Sequence, residues 1–318
     1  MTTPRNAIHV VRPGLLTTVQ DLGRWGHQAH GVPVAGPMDT FSHRLANLLV
    51  GNAPSAATLE ITLIGPELQF ERACSVALAG ADFEVSSGGR SLTVGMSTWL
   101  DDGARLQFGR RRAGARVYLA VEGGIQTPAV LGSRATHVVS RMGGLHGRAL
   151  VANDVLPIQA GAQPKAPRRA IGINLPTTGR ARLRVLQGPQ SDWFTPDAVR
   201  VFTSTSFRVS PRSNRMGYRL EGPKLTRERQ DEPISEPLAF GAIQVPPAGE
   251  PILLMADRQT AGGYPKIGSV IAADLPLAGQ LSPGDFIEFD LCPRQQAAAA
   301  LIARERPLLR LADSGHAS

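Results

Sequence analysis

Short apolar runs alternate with turn residues over positions 241–268, which read GAIQVPPAGEPILLMADRQTAGGYPKIG. The longest run, Ile252–Ala256, is five residues long, and prolines and glycines occur on both sides of it. Brief aliphatic runs are typical of β-strands, whereas Gly and Pro mark the turns between them. The stretch therefore predicts strands joined by turns.

The same pattern extends in both directions along the 318-residue chain, which contains 34 Gly and 25 Pro. Strands are predicted at Thr58–Ile64, Ser75–Ala79, Arg105–Phe108, Val117–Val121, Arg182–Leu186, Ile252–Met255 and Phe286–Phe289. Many short strands with Gly- and Pro-rich turns are typical of barrels and sandwiches. We predict a mainly β fold.

A few segments have helical periodicity or capping signals instead. Helices are predicted at Asp39–Val50, near Pro196–Arg200 and at Pro293–Arg304. Asp39 and Thr195 are suited to cap the first two helices, and Pro307 is expected to end the third. The few helices do not change the prediction of a β protein.

The length is sufficient for two domains. A linker candidate, Gly161–Arg180, is rich in Pro, Gly and Arg and has little apolar periodicity. We predict a β domain at 1–165, a linker at 166–180, a second β domain at 181–292, and a helix and tail at 293–318.

The charge and residue usage exclude several functional classes. The net charge is +8, but only Arg110–Arg112 forms a tight basic run and aromatic residues make up 5% of the chain. Nucleic-acid binding needs clustered basic and aromatic residues, so we do not expect it. His27 and His30 have HxxH spacing but too few neighbouring ligands, and we predict no metal site.

The compartment is inferred from cysteines and apolar runs. Cys74 and Cys292 are far apart and form no CxxC pair, which fits a reducing compartment. No apolar run approaches the ~20 residues that span a bilayer, and the first residues do not resemble a signal peptide. A cytoplasmic protein without membrane association is expected.

The first candidate site stretch is Thr17–Asp39, TTVQDLGRWGHQAHGVPVAGPMD. Its many glycines allow backbone N–H groups to approach a ligand closely. Asp21, Arg24 and Asp39 are candidate substrate-binding residues within it. The alternative for Asp21 and Arg24 is an ion pair in a surface turn, which stabilises little.

The second candidate stretch follows the predicted strand at Ile252–Met255. Asp257 and Gln259 are placed at a strand end, where a rigid sheet can hold a site. The amide of Gln259 suits an amide or lactam, and backbone N–H groups of Thr260 and the following glycines suit a developing oxyanion. Lys266 suits a carboxylate. The alternative is a polar hairpin turn.

A third stretch, SNRMGYRLE, contains Arg215 and Arg219, whose guanidinium groups suit carboxylate or phosphate. The alternative is that both arginines pack on an edge strand. The complete prediction has catalytic Asp257, Gln259 and Lys266, and substrate-binding Asp21, Arg24, Asp39, Arg215, Arg219, Gln244, Thr260, Gly262, Gly263 and Tyr264. No general base or nucleophile is assigned.

The matching segments identify a family resemblance. VRPGLLTTVQDLGRWG (Val11–Gly26), GVPVAGPMD (Gly31–Asp39), SNRMGYRLEGP (Ser213–Pro223) and SEPLAFGAIQVPPAGEPILLMADRQTAGGYPKI (Ser235–Ile267) resemble the biotin-dependent carboxyltransferase family, also called allophanate hydrolase subunit 2. This family includes the C-type subunit of bacterial 5-oxoprolinase, the carboxyltransferase region of urea carboxylase and an antagonist of a sporulation-kinase inhibitor. The resemblance implies two tandem cyclophilin-like β-barrel domains.

The resemblance also implies partners and alternative activities. A homologous small subunit, of the allophanate hydrolase subunit 1 type or the 5-oxoprolinase B type, is the expected partner, together with a 5-oxoprolinase A-type subunit or a biotin carboxylase. The stand-alone length favours the C-type subunit of 5-oxoprolinase, in a complex that uses ATP to open 5-oxoproline. The alternatives are a carboxyltransferase acting on urea or a similar amide, and a non-catalytic antagonist of the small subunit.

Cofactor use depends on which of these activities is correct. The chain has no AMKM-type biotin-attachment tetrapeptide; the nearest segment, Met142–Leu145, reads MGGL. No covalently bound cofactor is therefore expected. A carboxyltransferase would receive carboxybiotin from another chain.

Overall fold

The computed structural model describes residues 6–159, 166–170, 179–229 and 231–313. The chain divides into two compact units. The first comprises Met1–Arg24, Ala35–Pro176 and Arg306–Ser318, and the second comprises Trp25–Val34 and Thr177–Glu305. Most of the predicted linker, at 161–165 and 171–178, lies outside the described residues. Within 166–170, the carbonyl of Arg168 accepts a hydrogen bond from the Ser97 N–H at 2.9 Å.

The first unit is a branched β-sheet with one helix packed on it. Its elements are β1 (Ala7–Arg12), β2 (Leu16–Gln20), α1 (Thr40–Leu49), β3 (Thr58–Thr62), β4 (Glu67–Phe70), β5 (Cys74–Ser87), β6 (Arg90–Leu92), β7 (Ser97–Leu100), β8 (Arg105–Val121) and β9 (Val155–Pro157). The strand order is β2-β3-β8-β4-β1-β9, and β5 pairs with β6, β7 and β8. Inward side chains such as Leu59, Phe70 and Leu119 are fully buried.

The second unit is built on a closed seven-stranded barrel. Its elements, with the helix that continues beyond it, are β10 (Arg180–Gln187), α2 (Pro196–Ser204), β11 (Ser206–Val209), β12 (Gly217–Glu221), β13 (Glu236–Pro237), β14 (Ala242–Gln244), β15 (Ile252–Leu254), β16 (Ala261–Gly262), β17 (Lys266–Val270), α3 (Leu275–Gly279), β18 (Phe286–Leu291) and α4 (Arg294–Asp313). The barrel order is β10-β17-β14-β15-β12-β11-β18, and a parallel pairing of β10 with β18 closes it.

Three aromatic rings pack together in the second unit. Phe202, Phe207 and Phe289 are each almost fully buried, and the rings of Phe202 and Phe289 stack with centroids 4.6 Å apart. Phe202 belongs to α2, whose other faces are more exposed. Burial of aromatic side chains supplies a large share of the stability of a small core. The short helix is thereby held against the barrel strands.

The structure confirms the mainly β fold and the predicted strands and helices in most places. α1 begins after the Asp39 cap, and α2 begins after Thr195, as expected. Arg105–Phe108 and Val117–Val121 are two ends of one long strand, β8. No helix in the described part of the chain has the length and apolar character needed to cross a membrane.

The predicted end of the last helix was wrong. We expected Pro307 to stop it, but α4 continues to Asp313 with Pro307 inside it. The residue after the proline, Leu308, is 1% exposed and packs in an apolar cluster with Leu45 and Leu49 of α1. Burial of this leucine offsets the hydrogen bond that proline removes from the helix.

Candidate functional site

A row of side chains crosses three adjacent strands on the outer face of the barrel. Ile252 on β15 is paired with Arg219 on β12 at one side and with Gln244 on β14 at the other. Paired residues of neighbouring strands point to the same face. The alternate positions, such as Tyr218 and Leu253, point inward and are at most 2% exposed. Arg219, Ile252 and Gln244 therefore form the floor of a site outside the core.

A two-stranded ribbon covers one side of this floor. β13 pairs with β16, with Glu236 opposite Gly262, and the Leu238 N–H donates to the Thr260 carbonyl at 3.0 Å. Leu238 forms an apolar cluster with Ala242, Leu254 and the floor residue Ile252. The ribbon is therefore held down by both backbone hydrogen bonds and apolar contact.

The ribbon, the floor and the loop before β12 line a cavity of about 550 Å³. The ribbon side includes Gln259, Gly262, Gly263 and Tyr264, and the loop side comprises Arg212, Asn214 and Met216. A cavity of this size is in the usual range for small-molecule sites. The structure thus brings six predicted residues together: Arg219, Gln244, Gln259, Gly262, Gly263 and Tyr264.

The two glycines have close neighbours that explain their lack of a side chain. A Cβ on Gly262 would lie 2.9 Å from Leu238 Cδ1 and 3.1 Å from Gln244 Nε2. A Cβ on Gly263 would lie 3.0 Å from the Pro233 carbonyl oxygen. Contacts this short force the surrounding groups to move. Gly262 therefore allows the ribbon to approach Gln244 at the cavity wall.

Asp257 and Arg215 form a buried ion pair close in sequence to residues that line the cavity. Arg215 Nε donates to Asp257 Oδ2 at 2.9 Å, and Arg215 Nη2 donates to Oδ1 at 3.0 Å. The side chains of Arg215 and Asp257 are 6% and 4% exposed, and neither lines the cavity. The pair joins the segment before β12 to the turn after β15. Its geometry orients the Gln259 turn, while a direct role for either residue at a substrate stays a prediction.

Lys266 is paired inside the second unit. Its Nζ donates to Glu236 Oε1, which also accepts from Gln190 Nε2 at 2.9 Å. Hydrogen bonding by Lys266 holds the pKa of Glu236 below its usual value. Lys266 does not line the cavity, and its charge is already matched by a carboxylate. It anchors β17 to the ribbon strand that contains Glu236.

Arg258 is a positioning residue that sequence reasoning missed. Its side chain is buried, its Nε donates to the Leu238 carbonyl at 2.9 Å, and its guanidinium carbon lies 5.7 Å from the centre of the Phe240 ring. Burial lowers the pKa of Arg258 from its usual value. Its position next to three predicted site residues was a signal that Arg258 belongs to the site. Its contacts with Leu238 and Phe240 could not be inferred, because these residues are about twenty positions away in the sequence.

The cavity lining is cationic and amide-rich. Arg212 and Arg219 supply positive charge, Asn214, Gln244 and Gln259 supply amide groups, and no Asp or Glu is among the described lining residues. Gln244 Nε2 donates a long hydrogen bond to the Tyr264 carbonyl, at 3.4 Å. Arg212 and Asn214 were missed, although Arg212 directly precedes the SNRMGYRLE stretch and Asn214 is its second residue. Such a lining suits an anionic ligand that also contains an amide.

Asp21 and Arg24 contact one loop of the first unit. Asp21 accepts from the Gly23 N–H, the Ser133 hydroxyl and the Arg134 N–H. Arg24 is 1% exposed and donates to the Ala135 carbonyl. Both side chains fix the 133–135 loop. Their proposed contact with substrate stays a prediction.

Asp39 lies within a buried polar network of the first unit. Its carboxylate caps α1 by accepting from the Ser42 N–H at 2.8 Å, and its own N–H donates to the Tyr118 hydroxyl. Tyr118 in turn donates to Glu60 Oε2 at 2.6 Å. Burial raises the pKa of Tyr118 well above its usual value, with further increase from nearby Glu60. The network fixes the start of α1.

The same region contains a buried histidine that the sequence did not mark. His43 Nδ1 lies 2.9 Å from Thr58 Oγ1, and the side chain is fully buried. Burial lowers the pKa of His43 to about 4, against the opposing effect of Asp21 and Glu60. His43 is therefore neutral at pH 7. Among the described residues, no group of three or more His, Cys, Asp or Glu is arranged to hold a metal.

Comparison with known proteins places these features in a family. The family model for the carboxyltransferase domain, subdomain A and B, matches residues 30–291. The chain is 39% identical over 305 residues to the C-type subunit of 5-oxoprolinase from Escherichia coli, covering 96% of this chain and 97% of that protein. It is 36% identical to the urea amidolyase of Lachancea kluyveri, covering 89% of this chain and 17% of that protein.

A solved structure shows the same architecture. The urea amidolyase of K. lactis superposes with a TM-score of 0.90 at 32% identity, over 98% of this chain and 20% of that chain. This chain therefore corresponds to one part of the longer yeast enzyme, and to nearly all of the bacterial 5-oxoprolinase subunit. By the extent of the family match and of these similarities, the chain belongs to the carboxyltransferase-domain family of subdomains A and B.

Proposed function

We propose that this chain is the C-type subunit of a 5-oxoprolinase, and that its barrel cavity binds the lactam substrate. The supporting observation is a cavity that combines apolar side chains, amide side chains and two arginines without a lining carboxylate among the described residues. 5-Oxoproline is a small ring with an amide and a carboxylate, and these groups match that lining. The near full-length similarity to a bacterial 5-oxoprolinase component supports the same activity.

In this proposal each wall of the cavity has a distinct role. Ile252 and Leu238 pack against the methylene groups of the ring. Gln259 and Gln244 hydrogen bond to the lactam amide through groups that both donate and accept. Backbone N–H groups at Gly262 and Gly263 face charge that develops on the lactam oxygen. The ion pair of Arg215 and Asp257 holds the turn in place.

The remaining chemistry is assigned to the complex. Opening the lactam to glutamate consumes ATP, and we propose that partner chains of the 5-oxoprolinase A and B types supply nucleotide binding and the rest of the catalytic groups. This chain positions the amide and excludes water with its apolar surfaces. We place the assembled enzyme in the cytoplasm.

The test is 5-oxoproline hydrolysis by the reconstituted set of subunits. Gln259→Ala should reduce ATP-dependent glutamate formation by at least tenfold, because it removes a hydrogen-bonding group at the proposed reacting amide. Gln259 is exposed, so the variant should fold normally. The measurement is the initial rate of glutamate release with all partners present.

The matched control is Gln295→Ala, which removes the same group from an exposed position on α4 outside the cavity. It should retain the full rate. A Gln259→Ala enzyme as fast as this control would remove Gln259 from the site. If omission of the whole chain left hydrolysis unchanged, the proposed function itself would be wrong.

A carboxyltransferase is the second candidate, favoured by the 36% identity to a urea amidolyase. In that case the same cavity would hold urea or a similar amide, and carboxybiotin would come from another chain. The discriminating measurement is transfer of labelled carboxyl from free carboxybiotin to urea in the presence of this chain. Transfer without 5-oxoproline hydrolysis would favour this second candidate.

A further inference from the structure

Arg219 is an available cation at one end of the cavity floor. Its side chain is exposed, and within the described residues its guanidinium has no hydrogen bond or ion pair. Its backbone carbonyl accepts from the Ser210 N–H, and its backbone N–H donates to the Ser213 hydroxyl. A guanidinium with open donors is suited to bind a planar carboxylate with two hydrogen bonds.

A second arginine, Arg212, also lines the cavity, and the next residue, Ser213, is hydrogen bonded to the backbone of Arg219. Arg212 has one acidic neighbour, Glu250, at 3.8 Å, which is beyond hydrogen-bond distance, and both side chains are at least half exposed. Such an exposed pair contributes little and is readily exchanged for a ligand. Arg212 therefore adds positive charge beside Arg219 without a strong internal partner.

Two other cations near the site, Arg215 and Lys266, are already neutralised. Arg215 is bound by Asp257, and Lys266 is bound by Glu236. Both of these cations lie outside the cavity lining, whereas Arg212 and Arg219 belong to it. The sequence alone had offered Arg215, Arg219 and Lys266 as candidates for anion binding. The structure distinguishes them by their partners.

The floor fixes the direction in which a ligand must lie. Arg219 and Gln244 flank Ile252 from opposite sides on successive strands. Two strand spacings separate their backbones by about 10 Å. Because Arg219 and Gln244 both line the cavity, this spacing suits a compact ligand with a carboxylate at one end and an amide at the other.

We propose that Arg219, assisted by Arg212, forms a carboxylate subsite, and that the bound ligand lies across Ile252 with its amide toward Gln244. This orientation rests on the proposed function for the identity of the physiological ligand. The ligand class itself, an amide that also has a carboxylate, follows from the lining. The subsite selects against neutral amides because these leave the arginine charge without a partner.

The experiment pairs removal of a ligand group with removal of the arginine. Affinities of the purified full chain are measured by calorimetry for 5-oxoproline and for 2-pyrrolidone, the same lactam without its carboxylate. The wild-type chain should bind 5-oxoproline at least tenfold more tightly. Arg219→Gln should weaken 5-oxoproline binding at least tenfold and leave 2-pyrrolidone binding unchanged, and Arg212→Gln should have a smaller effect in the same direction.

The matched control is Arg208→Gln, at an exposed position of β11 that does not line the cavity. It should retain the preference for 5-oxoproline. Equal wild-type affinity for both lactams would overturn the subsite, and so would equal weakening of both ligands by Arg219→Gln. If the isolated chain binds neither lactam, the KM for 5-oxoproline is measured with the reconstituted complex instead. An unchanged KM in the Arg219→Gln complex would also overturn the subsite.

An open-chain pair separates this subsite from the proposed function. Succinamate has a carboxylate where butanamide has a methyl group. An Arg219-dependent preference for succinamate, together with no binding or hydrolysis of 5-oxoproline, would support the subsite while the 5-oxoprolinase assignment failed. No Arg219-dependent preference in either pair would overturn the subsite even if the complex hydrolysed 5-oxoproline.

Discussion

His43 links the stability of the first unit to pH. Its pKa is lowered to about 4 because burial disfavours the imidazolium, whereas an exposed histidine titrates near 6.5. As the pH falls from 6.5 to 4, the unfolded chain binds a proton that the folded chain does not bind. Stability is therefore lost over this interval, by up to about 3 kcal/mol at roughly 1.4 kcal/mol per pKa unit.

Replacement of this histidine should reduce the acid sensitivity. We expect His43→Gln to lose about 2 kcal/mol less free energy of unfolding between pH 7 and pH 4.5 than the wild type. The measurement is urea denaturation at both pH values, so that any pH-independent effect of the substitution cancels. An identical pH dependence in the two proteins would show that His43 is not the responsible group.

Individual residues also show where sequence reasoning reached its limit. Three of the predicted site residues, Gln244, Gln259 and Arg219, line one cavity, and their contact with a ligand stays a prediction. The partners of Asp257 and Lys266 could not be predicted, because the contacts connect positions 42 and 30 residues apart. In the sequence, a charged residue that is used in a buried ion pair looks the same as one that is exposed for ligand binding. Only the folded structure distinguishes the two.

At the scale of elements, the capping residues make a specific prediction for α2. Thr195 Oγ1 accepts from the Ala198 N–H at 3.1 Å, which satisfies one of the unpaired donors at the start of the helix. Thr195→Ala should lower the free energy of unfolding by about 1 kcal/mol. The measurement is the denaturation midpoint at constant transition slope.

The same helix contains a suitable control. Thr203 lies in the last turn, and its hydroxyl donates to the Val199 carbonyl, which the helix can satisfy without it. Thr203→Ala should therefore change stability by less than Thr195→Ala does. A larger loss at Thr203 would contradict the capping role of Thr195.

Elements were easier to predict than their ends. Caps and apolar periodicity placed α1 and α2 correctly because those signals are local. The end of α4 failed because proline was weighed as a local stop, whereas Leu308 is buried against α1 through tertiary packing. The ribbon of β13 and β16 was not predicted either, since each of its strands has only two residues and lacks a periodic pattern.

At the scale of the whole molecule, the mainly β architecture followed from strand spacing, but barrel closure did not. The closing pair, β10 with β18, joins residues about a hundred positions apart in a parallel register. Nothing in the local sequence indicates which distant strand completes the ring. Two β domains were predicted from the length and a linker candidate, whereas the cyclophilin-like barrels were implied by the family resemblance.

The separation of core and cavity gives a prediction about stability. Phe289→Ala removes a buried ring that stacks on Phe202, and should lower the free energy of unfolding by roughly 3–5 kcal/mol. Arg219→Gln alters an exposed side chain on the outer face and should change it by less than about 0.5 kcal/mol. Both values come from chemical denaturation of the full chain, and comparable losses would contradict this separation.

The cavity floor on the outside of the barrel has a consequence for how such a protein changes over time. Side chains that line the cavity alternate along the strands with side chains that fill the interior, so one set can be replaced while the other stays constant. The cavity lining can then change, over time or by design, without loss of the ability to fold.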